Sequence, residues 1–322
     1  MLLWNFSFCI ILGINDKNFV LIILIYMLEI IERKFKNNAK RDVLLKNLTT
    51  FKIGGRCKLL VKVCNMSDLM WLLNVLRKGN IRFFVLGGGS NVLFSDSGFD
   101  GVVVKLSGKF QEIKIKNNIL TVGAGVSLFN LAKFCADHGL CGLEWAYGIP
   151  GSVGGATLMN AGAYGKQFSD SIVSVDCLSQ NLKKLKLSNK ACCFSYRKSI
   201  FQTNKLIITS VELSVAQSDG SLVVQKQKEY LKKRLASQPS YPSAGSIFKR
   251  CGDIPVSKLI DDLHLKGFCV GDAQVSKKHA GFIINVGSAS CNDVLNLIEY
   301  IKQKLDSHYN VRPKLEIIVV EE

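Results

Sequence analysis

The chain has 322 residues, is 48% hydrophobic and carries 42 Lys and Arg against 25 Asp and Glu, a formal net charge of +17. That length supports two or three domains, each with its own core. The charge invites a nucleic-acid or membrane reading, but its distribution opposes both. Basic residues are scattered in short clusters such as Lys183-Lys184 and Lys232-Lys233-Arg234, with no long run interleaved with aromatics. A lysine-rich surface, with a basic cleft for an anionic nucleotide, fits better. Gly outnumbers Pro by 27 to 5, which favours sharp turns over proline-rich linkers. The 11 cysteines form no Cys-x-x-Cys pair. A disulfide framework and a zinc site are therefore not expected, and buried thiols in a reducing cytoplasm are.

Residues 1–28 read as an apolar N-terminal extension. The run Phe19 to Leu28 is too short to span a bilayer. The first basic residue is Lys17 and no small-residue cleavage site follows, unlike a signal peptide. Met27 is the expected start, with residues 1–26 arising from start-site assignment; N-terminal sequencing that finds Met1 contradicts this. Glu29 to Asn47 is expected to hold one or two helices. A strand follows the Gly54-Gly55 turn and runs to Val63. Ser67 to Arg77 reads as a helix with Ser67 as its N-cap, and Ile81 to Leu86 as a buried strand. Short strands are expected at Gly101–Leu106, Gln111–Ile115 and Ile119–Val122. Ser127 to His138 reads as a helix capped by Ser127 and stopped by Gly139. Residues 142–165 are glycine-dense and read as loop. Strands are expected at Ile172–Leu178 and Leu206–Val215, then a charged helix at Gln225–Leu235. Helices at Ile254–Leu263 and Cys291–Leu305 and strands at Ala280–Val286 and Leu315–Val320 complete an α+β unit.

Two glycine clusters carry the chemistry. Gly87, Gly88, Gly89, Ser90 and Asn91 follow a buried strand, where successive glycines let backbone N–H groups converge on an anion. A Rossmann loop would read Gly-x-Gly-x-x-Gly and open a helix. Here Val92 takes the third glycine position and strands follow, so that reading fails. Alone, the loop reads better as a tight glycine turn. The second cluster, Gly148-Ile-Pro-Gly-Ser-Val-Gly-Gly155 and Asn160-Ala-Gly-Ala-Tyr-Gly165, suits a dinucleotide held by neutral backbone on two sides.

With Thr50-Phe-Lys-Ile-Gly-Gly55, these segments resemble the FAD-binding half of the UDP-N-acetylenolpyruvoylglucosamine reductase (MurB) family. Tyr196-Arg-Lys-Ser199, Pro242-Ser-Ala-Gly-Ser-Ile-Phe-Lys249 and the segment from Gly271 to Asn285 resemble its remaining signatures. The match runs from about Leu44 to Val320 and looks like the shorter subtype.

The resemblance implies an α+β protein: a two-subdomain FAD-binding fold of the vanillyl-alcohol oxidase type over residues 29–216, then an α+β substrate-binding domain over 217–322. It implies noncovalent FAD, NADPH as co-substrate, and reduction of UDP-N-acetylglucosamine enolpyruvate to UDP-N-acetylmuramate by a cytoplasmic monomer, with no metal, nucleic-acid partner or membrane span. FAD would be held by Gly87, Gly88, Gly89, Ser90, Asn91, Gly148, Ile149, Pro150, Gly151, Ser152, Gly154, Gly155, Asn160, Ala161 and Gly162. Arg197 matches the family's catalytic arginine, Ser246 its proton-donating serine, and Glu316 its C-terminal glutamate, which would bind the substrate carboxyl or assist proton delivery. Tyr196, Arg234, Gln238, Lys249 and Gln274 would bind the UDP-sugar. His279 reads as structural. An oxidase of the same fold is the main rival; many such enzymes attach FAD through His or Cys, and neither stands in the glycine loops. Two departures stand out. Cys251 replaces the usual proline after Lys249-Arg250, and Ile317-Ile318 follow Glu316, which leaves the local loop shape and the Glu316 register open.

Overall fold

The computed structural model describes the backbone of residues 17–321 and the side chains of 24–321. Residues 1–16 of the expected extension lie outside the described residues. Helix α1 (Lys17–Phe35) buries Met27, Leu28, Ile31 and Phe35. Their spacing is that of one helical face. No helix among the described residues is long and apolar enough to cross a membrane.

The helix expected over 29–47 ends at Phe35. Ala39–Leu44 instead form strand β1, paired antiparallel with β2 (Arg56–Val63). Its sequence, Ala-Lys-Arg-Asp-Val-Leu, lacks an alternating apolar face, so backbone pairing on a sheet edge decides its state. Helix α2 (Met66–Lys78) is capped by Asn65, not Ser67. The Asn65 side chain accepts from the Asp68 amide at 2.9 Å, and the Ser67 hydroxyl donates to that same oxygen at 2.6 Å. Both residue types cap well, so type alone does not separate them. Asn65→Ala is expected to cost about 1 kcal/mol in urea unfolding, and Ser67→Ala much less.

Strands β3 (Phe83–Val85), β4 (Val92–Phe94) and β5 (Phe99–Leu106) follow. The first sheet has the order β1-β2-β5-β3, with β2, β5 and β3 mutually parallel. The carboxyl end of β3 opens into the first glycine loop. A second, antiparallel sheet joins β6 (Ile113–Lys116), β7 (Ile119–Gly123), β8 (Ile172–Leu178), β9 (Lys184–Ser188) and β10 (Ile207–Ser214) in the order β9-β8-β10-β7-β6. Helix α3 (Leu128–Asp137) has the expected Ser127 cap, accepting from Asn130 N at 3.0 Å. Residues 142–165 are not one loop. They contain helix α4 (Val153–Met159), capped by Ser152, and a tight hairpin pairing Gly162–Ala163 with Lys166–Gln167. Asn160, in the left-handed region, ends the helix.

Helix α5 (Gly220–Ser237) is longer than its charged centre indicates. It packs back on α3, with buried Gln227 donating to the Ala132 carbonyl at 2.7 Å. The third sheet has β11 (Ser243–Ser246), β12 (Cys269–Val270), β13 (Ala273–Val275) and β14 (Phe282–Asn285) in the order β11-β14-β13-β12. Helices α6 (Val256–Asp262) and α7 (Cys291–Tyr309) share its core through Leu259, Ile260, Val275, Ile283, Leu297 and Ile301. Phe51, Ile53 and Leu93 belong to the same core. The last strand, β15 (Ile318–Val320), leaves this sheet and pairs parallel with β4. Residues 318–320 are thereby stitched to residues 92–94, just after the glycine loop.

Ten cysteines among the described residues are free thiols. Burial pushes those of Cys135 and Cys192 up to about 12, which leaves them unreactive. His279 Nδ1 accepts from the Gly281 amide at 3.1 Å. Burial holds its imidazole below the ordinary histidine range. A histidine whose folded pKa is depressed stabilises the fold above its unfolded value of about 6.5 and loses that contribution as pH falls. The wild-type melting temperature is therefore expected to drop from pH 7 to pH 5 more than that of His279→Asn, whose side-chain oxygen also accepts.

Candidate active site

The two glycine clusters lie in backbone contact. A Cβ on Gly88 would come within 2.6 Å of the Gly151 Cα, so only glycine fits that approach. Gly89 has φ +68, and its carbonyl accepts from the Thr50 amide at 3.0 Å. Leu128 N donates to Gly151 O, and Ser152 pairs with Ser127 across an isolated bridge. The loops are thus fixed by β5, α3 and the Thr50 segment. Among the described residues, no protein acceptor is hydrogen-bonded to the amides of Gly88, Gly89, Ser90 or Asn91. Unpaired amide donors on a neutral loop suit an anionic group such as a pyrophosphate. A Cβ on Gly155 would meet only the Ser152 hydroxyl, at 3.4 Å, so this position opens onto free space beside the loops. The donor set and the space both fit FAD.

Arg197 and Glu316, far apart in sequence, meet through their side chains, and Ser246 precedes Ile247, whose carbonyl accepts from the Glu316 amide. Ser195 and Lys198 exchange backbone hydrogen bonds, making a tight turn with Arg197 at φ +54. A non-glycine residue held there marks a constrained position. The turn aims the guanidinium inward. Its Nε donates to Glu316 Oε1 at 2.5 Å, and its Nη atoms donate to the Gly162 carbonyl at 3.1 Å and the Asn160 carbonyl at 3.4 Å. An arginine has five N–H donors; with three engaged, two remain for a ligand. The pair is largely buried, with the Arg197 and Glu316 side chains 20% and 12% exposed.

Glu316 is placed from three sides. Its amide donates to the Ile247 carbonyl at 2.8 Å, next to Ser246. Its own carbonyl accepts from Asn91 Nδ2 at 3.0 Å, so the first glycine loop holds it directly. Lys249 N donates to Lys314 O, and Phe248 bridges Leu315. These bonds fix the Glu316 register that Ile317-Ile318 left open. Ser246 ends β11, half-buried, after Gly245 at φ +78. The Thr50 hydroxyl ties this strand to the glycine loop by donating to Ser243 O at 2.7 Å. The departure at Cys251 also has a local reason. Cys251 N donates to Ile254 O and Ile254 N to Cys251 O, closing a tight turn. Proline at 251 would lack the first of these donors.

The other expected residues divide into two groups. The Tyr196 ring lies 5.1 Å from the Arg197 guanidinium and 5.9 Å from that of Arg250, which the sequence reading had not singled out. Arg234 is partly desolvated, which lowers its pKa, and lies near Tyr164 and Gly148. The Gln238 side-chain oxygen is buried without a partner among the described residues, an acceptor open to a ligand donor. Gln274 and Asn160 differ. Gln274 Nε2 donates to Gly267 O at 3.4 Å within its own hairpin. Asn160 is buried, donating to Gln167 and the Ser195 carbonyl and accepting from Ser169 N. Its side chain supports the Arg197 turn; only its backbone faces the guanidinium. Ile149 and Ala161 pack on the main core, Pro150 is exposed, Gly148 contacts Leu231 on α5, and a Cβ on Gly154 would meet Ala124 at 2.9 Å. Thr50, whose hydroxyl ties β11 to the glycine loop, and Arg250, beside the Tyr196 ring, also stand at the site.

This architecture defines a flavoenzyme of the FAD-binding α+β class: the FAD binding domain family matches residues 57–185, and the UDP-N-acetylenolpyruvoylglucosamine reductase C-terminal domain matches residues 238–320. The chain is 41% identical over 302 residues to UDP-N-acetylenolpyruvoylglucosamine reductase of Caldanaerobacter subterraneus, covering 92% of this chain and 100% of that one. It is 42% identical over 271 residues to the Thermotoga petrophila enzyme, covering 84% and 94%. The crystal structure of the Thermus caldophilus reductase superposes with a TM-score of 0.76 at 34% identity, over 87% of this chain and 98% of that one. The chain belongs to the UDP-N-acetylenolpyruvoylglucosamine reductase (MurB) family, and it is a flavin-dependent oxidoreductase.

Proposed function

We propose that this chain reduces UDP-N-acetylglucosamine enolpyruvate to UDP-N-acetylmuramate in the cytoplasm, as a monomer, with residues 217–322 supplying most of the substrate contacts. The observation that carries the reading is the Arg197–Glu316 pair, with Ser246 next to the residue that holds the Glu316 amide, beside two glycine loops, the first of which has amides without a protein acceptor among the described residues. The two loops would hold FAD noncovalently, and the cofactor would supply the hydride, with NADPH as its source. The protein's own task is to manage the charge and proton that the reduction requires. Negative charge builds at the carbon beside the substrate carboxylate. The two free N–H donors of Arg197 stabilise it through that carboxylate, in a site shielded from water. The Ser246 hydroxyl delivers a proton to the carbon. Glu316 holds the guanidinium in place and sits where it can assist that transfer. Tyr196, Arg234, Gln238 and Lys249 bind the UDP-sugar, with the basic groups meeting its diphosphate. Gln274 contributes through the shape of its hairpin.

Gly155→Leu tests the placement of FAD. The new side chain enters open space, so the protein is expected to fold with a wild-type circular dichroism spectrum and purify colourless. Wild-type protein is expected to be yellow and to release its flavin on acid denaturation. A yellow Gly155→Leu protein with normal flavin content contradicts the placement.

A further inference from the structure

Lys105 is an isolated lysine in an apolar strand. It stands near the carboxyl end of β5, in Gly101-Val-Val-Val-Lys-Leu106. Val102 and Val104 point into the main core and Val103 into the smaller one, so alternation puts Lys105 on the Val103 side. Its Nζ donates to the Gly87 carbonyl at 2.7 Å. It makes no ion pair with a carboxylate among the described residues; its charged neighbour is Lys62, opposite it on β2. Burial and that second lysine both lower its pKa. A desolvated ammonium with one carbonyl partner and no counter-ion is costly unless a further anion arrives.

The peptide geometry indicates which anion. In a trans peptide the carbonyl and the following N–H point in opposite directions. Lys105 draws the Gly87 carbonyl toward the sheet, so the Gly88 N–H points away from it. That N–H has no protein acceptor among the described residues. The geometry points to Lys105 as a positioning residue of the cofactor site: it fixes the Gly87–Gly88 peptide so that the Gly88 amide donates to the pyrophosphate of FAD, and its uncompensated charge draws that anion to the loop. The inference rests on the assignment of FAD to the glycine loops above.

Flavin titrations of the full chain test it, with FAD and riboflavin as probes. Riboflavin carries the ring without phosphate. Lys105→Met is expected to raise the FAD dissociation constant about 10- to 100-fold, the range set by loss of one charge-assisted hydrogen bond. Riboflavin affinity and the melting temperature of the flavin-free chain should hold, and Lys105→Arg should regain most of the loss. Unchanged FAD affinity in Lys105→Met, or equal losses for both flavins, overturns the inference. Should the methionine variant not fold, the wild-type chain still decides: added salt must weaken FAD binding and spare riboflavin, and parallel salt dependences overturn the inference. Gly155→Leu separates the two claims. If it loses FAD while Lys105→Met does not, the loop assignment stands and the role of Lys105 falls. If Gly155→Leu keeps FAD, the loop assignment itself fails.

Discussion

Ser246→Ala is expected to lower kcat by about 10²- to 10⁴-fold, the usual contribution of a positioned proton donor, while NADPH still reduces the flavin at close to the wild-type rate. The split follows from where the hydroxyl acts. Ser246 ends β11, beside the Ile247 carbonyl that holds Glu316, and among the described residues no hydrogen bond ties its side chain to the glycine loops proposed to hold FAD. Removing one oxygen deletes the proton source and leaves the backbone pairing with Phe282 in place. Stopped-flow measurement of the two half-reactions separates these outcomes. Loss of both half-reactions would make the serine structural, a hydroxyl that shapes the turn after Gly245.

Arg197→Ala is expected to be at least as damaging and to act in two ways. It removes the cation proposed to face the substrate carboxylate, with an expected loss of about 10²- to 10³-fold in kcat. It also strands Glu316, whose side chain is 12% exposed and loses its only cationic partner among the described residues. Breaking a buried pair from one side costs about 3 kcal/mol, read as a lower urea midpoint. Adding Glu316→Gln should recover most of that stability and none of the activity. Arg197→Lys should rescue little, because an ammonium cannot serve Glu316, two carbonyls and a substrate carboxylate from one fork. If Arg197→Lys keeps wild-type turnover, the arginine supplies charge alone and the geometric argument fails.

Much of the fold was legible where local signals agree. The Ser127 cap and Gly139 stop framed α3, and the apolar alternation of Ile172–Leu178 and Leu206–Val215 marked β8 and β10. It failed where pairing or packing overrides composition. Ala39–Leu44 is a strand because β2 offers an edge, and glycine density hid α4. The site divides the same way. Motif order pointed to Arg197, Ser246 and Glu316, but no pattern in the sequence says that β15 returns to β4 or that Asn91 holds the Glu316 backbone. Asn160 stands in a glycine-rich motif, and that its buried side chain holds the Arg197 turn is not legible from the motif. Lys105 had a visible signal, one lysine ending an apolar strand, whose meaning required knowing that β3 and its loop lie alongside.

The central claim is that this site reduces the enolpyruvyl ether of a UDP-sugar by adding a proton from Ser246 beside the Arg197-held carboxylate. The most direct measurement is NADPH oxidation by the purified protein in deuterium oxide, with and without UDP-N-acetylglucosamine enolpyruvate, with the product analysed by mass spectrometry and NMR. The account predicts NADPH consumption that requires the UDP-sugar, and UDP-N-acetylmuramate carrying one solvent deuterium at the carbon next to its carboxylate. NADPH consumption indifferent to the UDP-sugar, with only oxygen reduced, would contradict it.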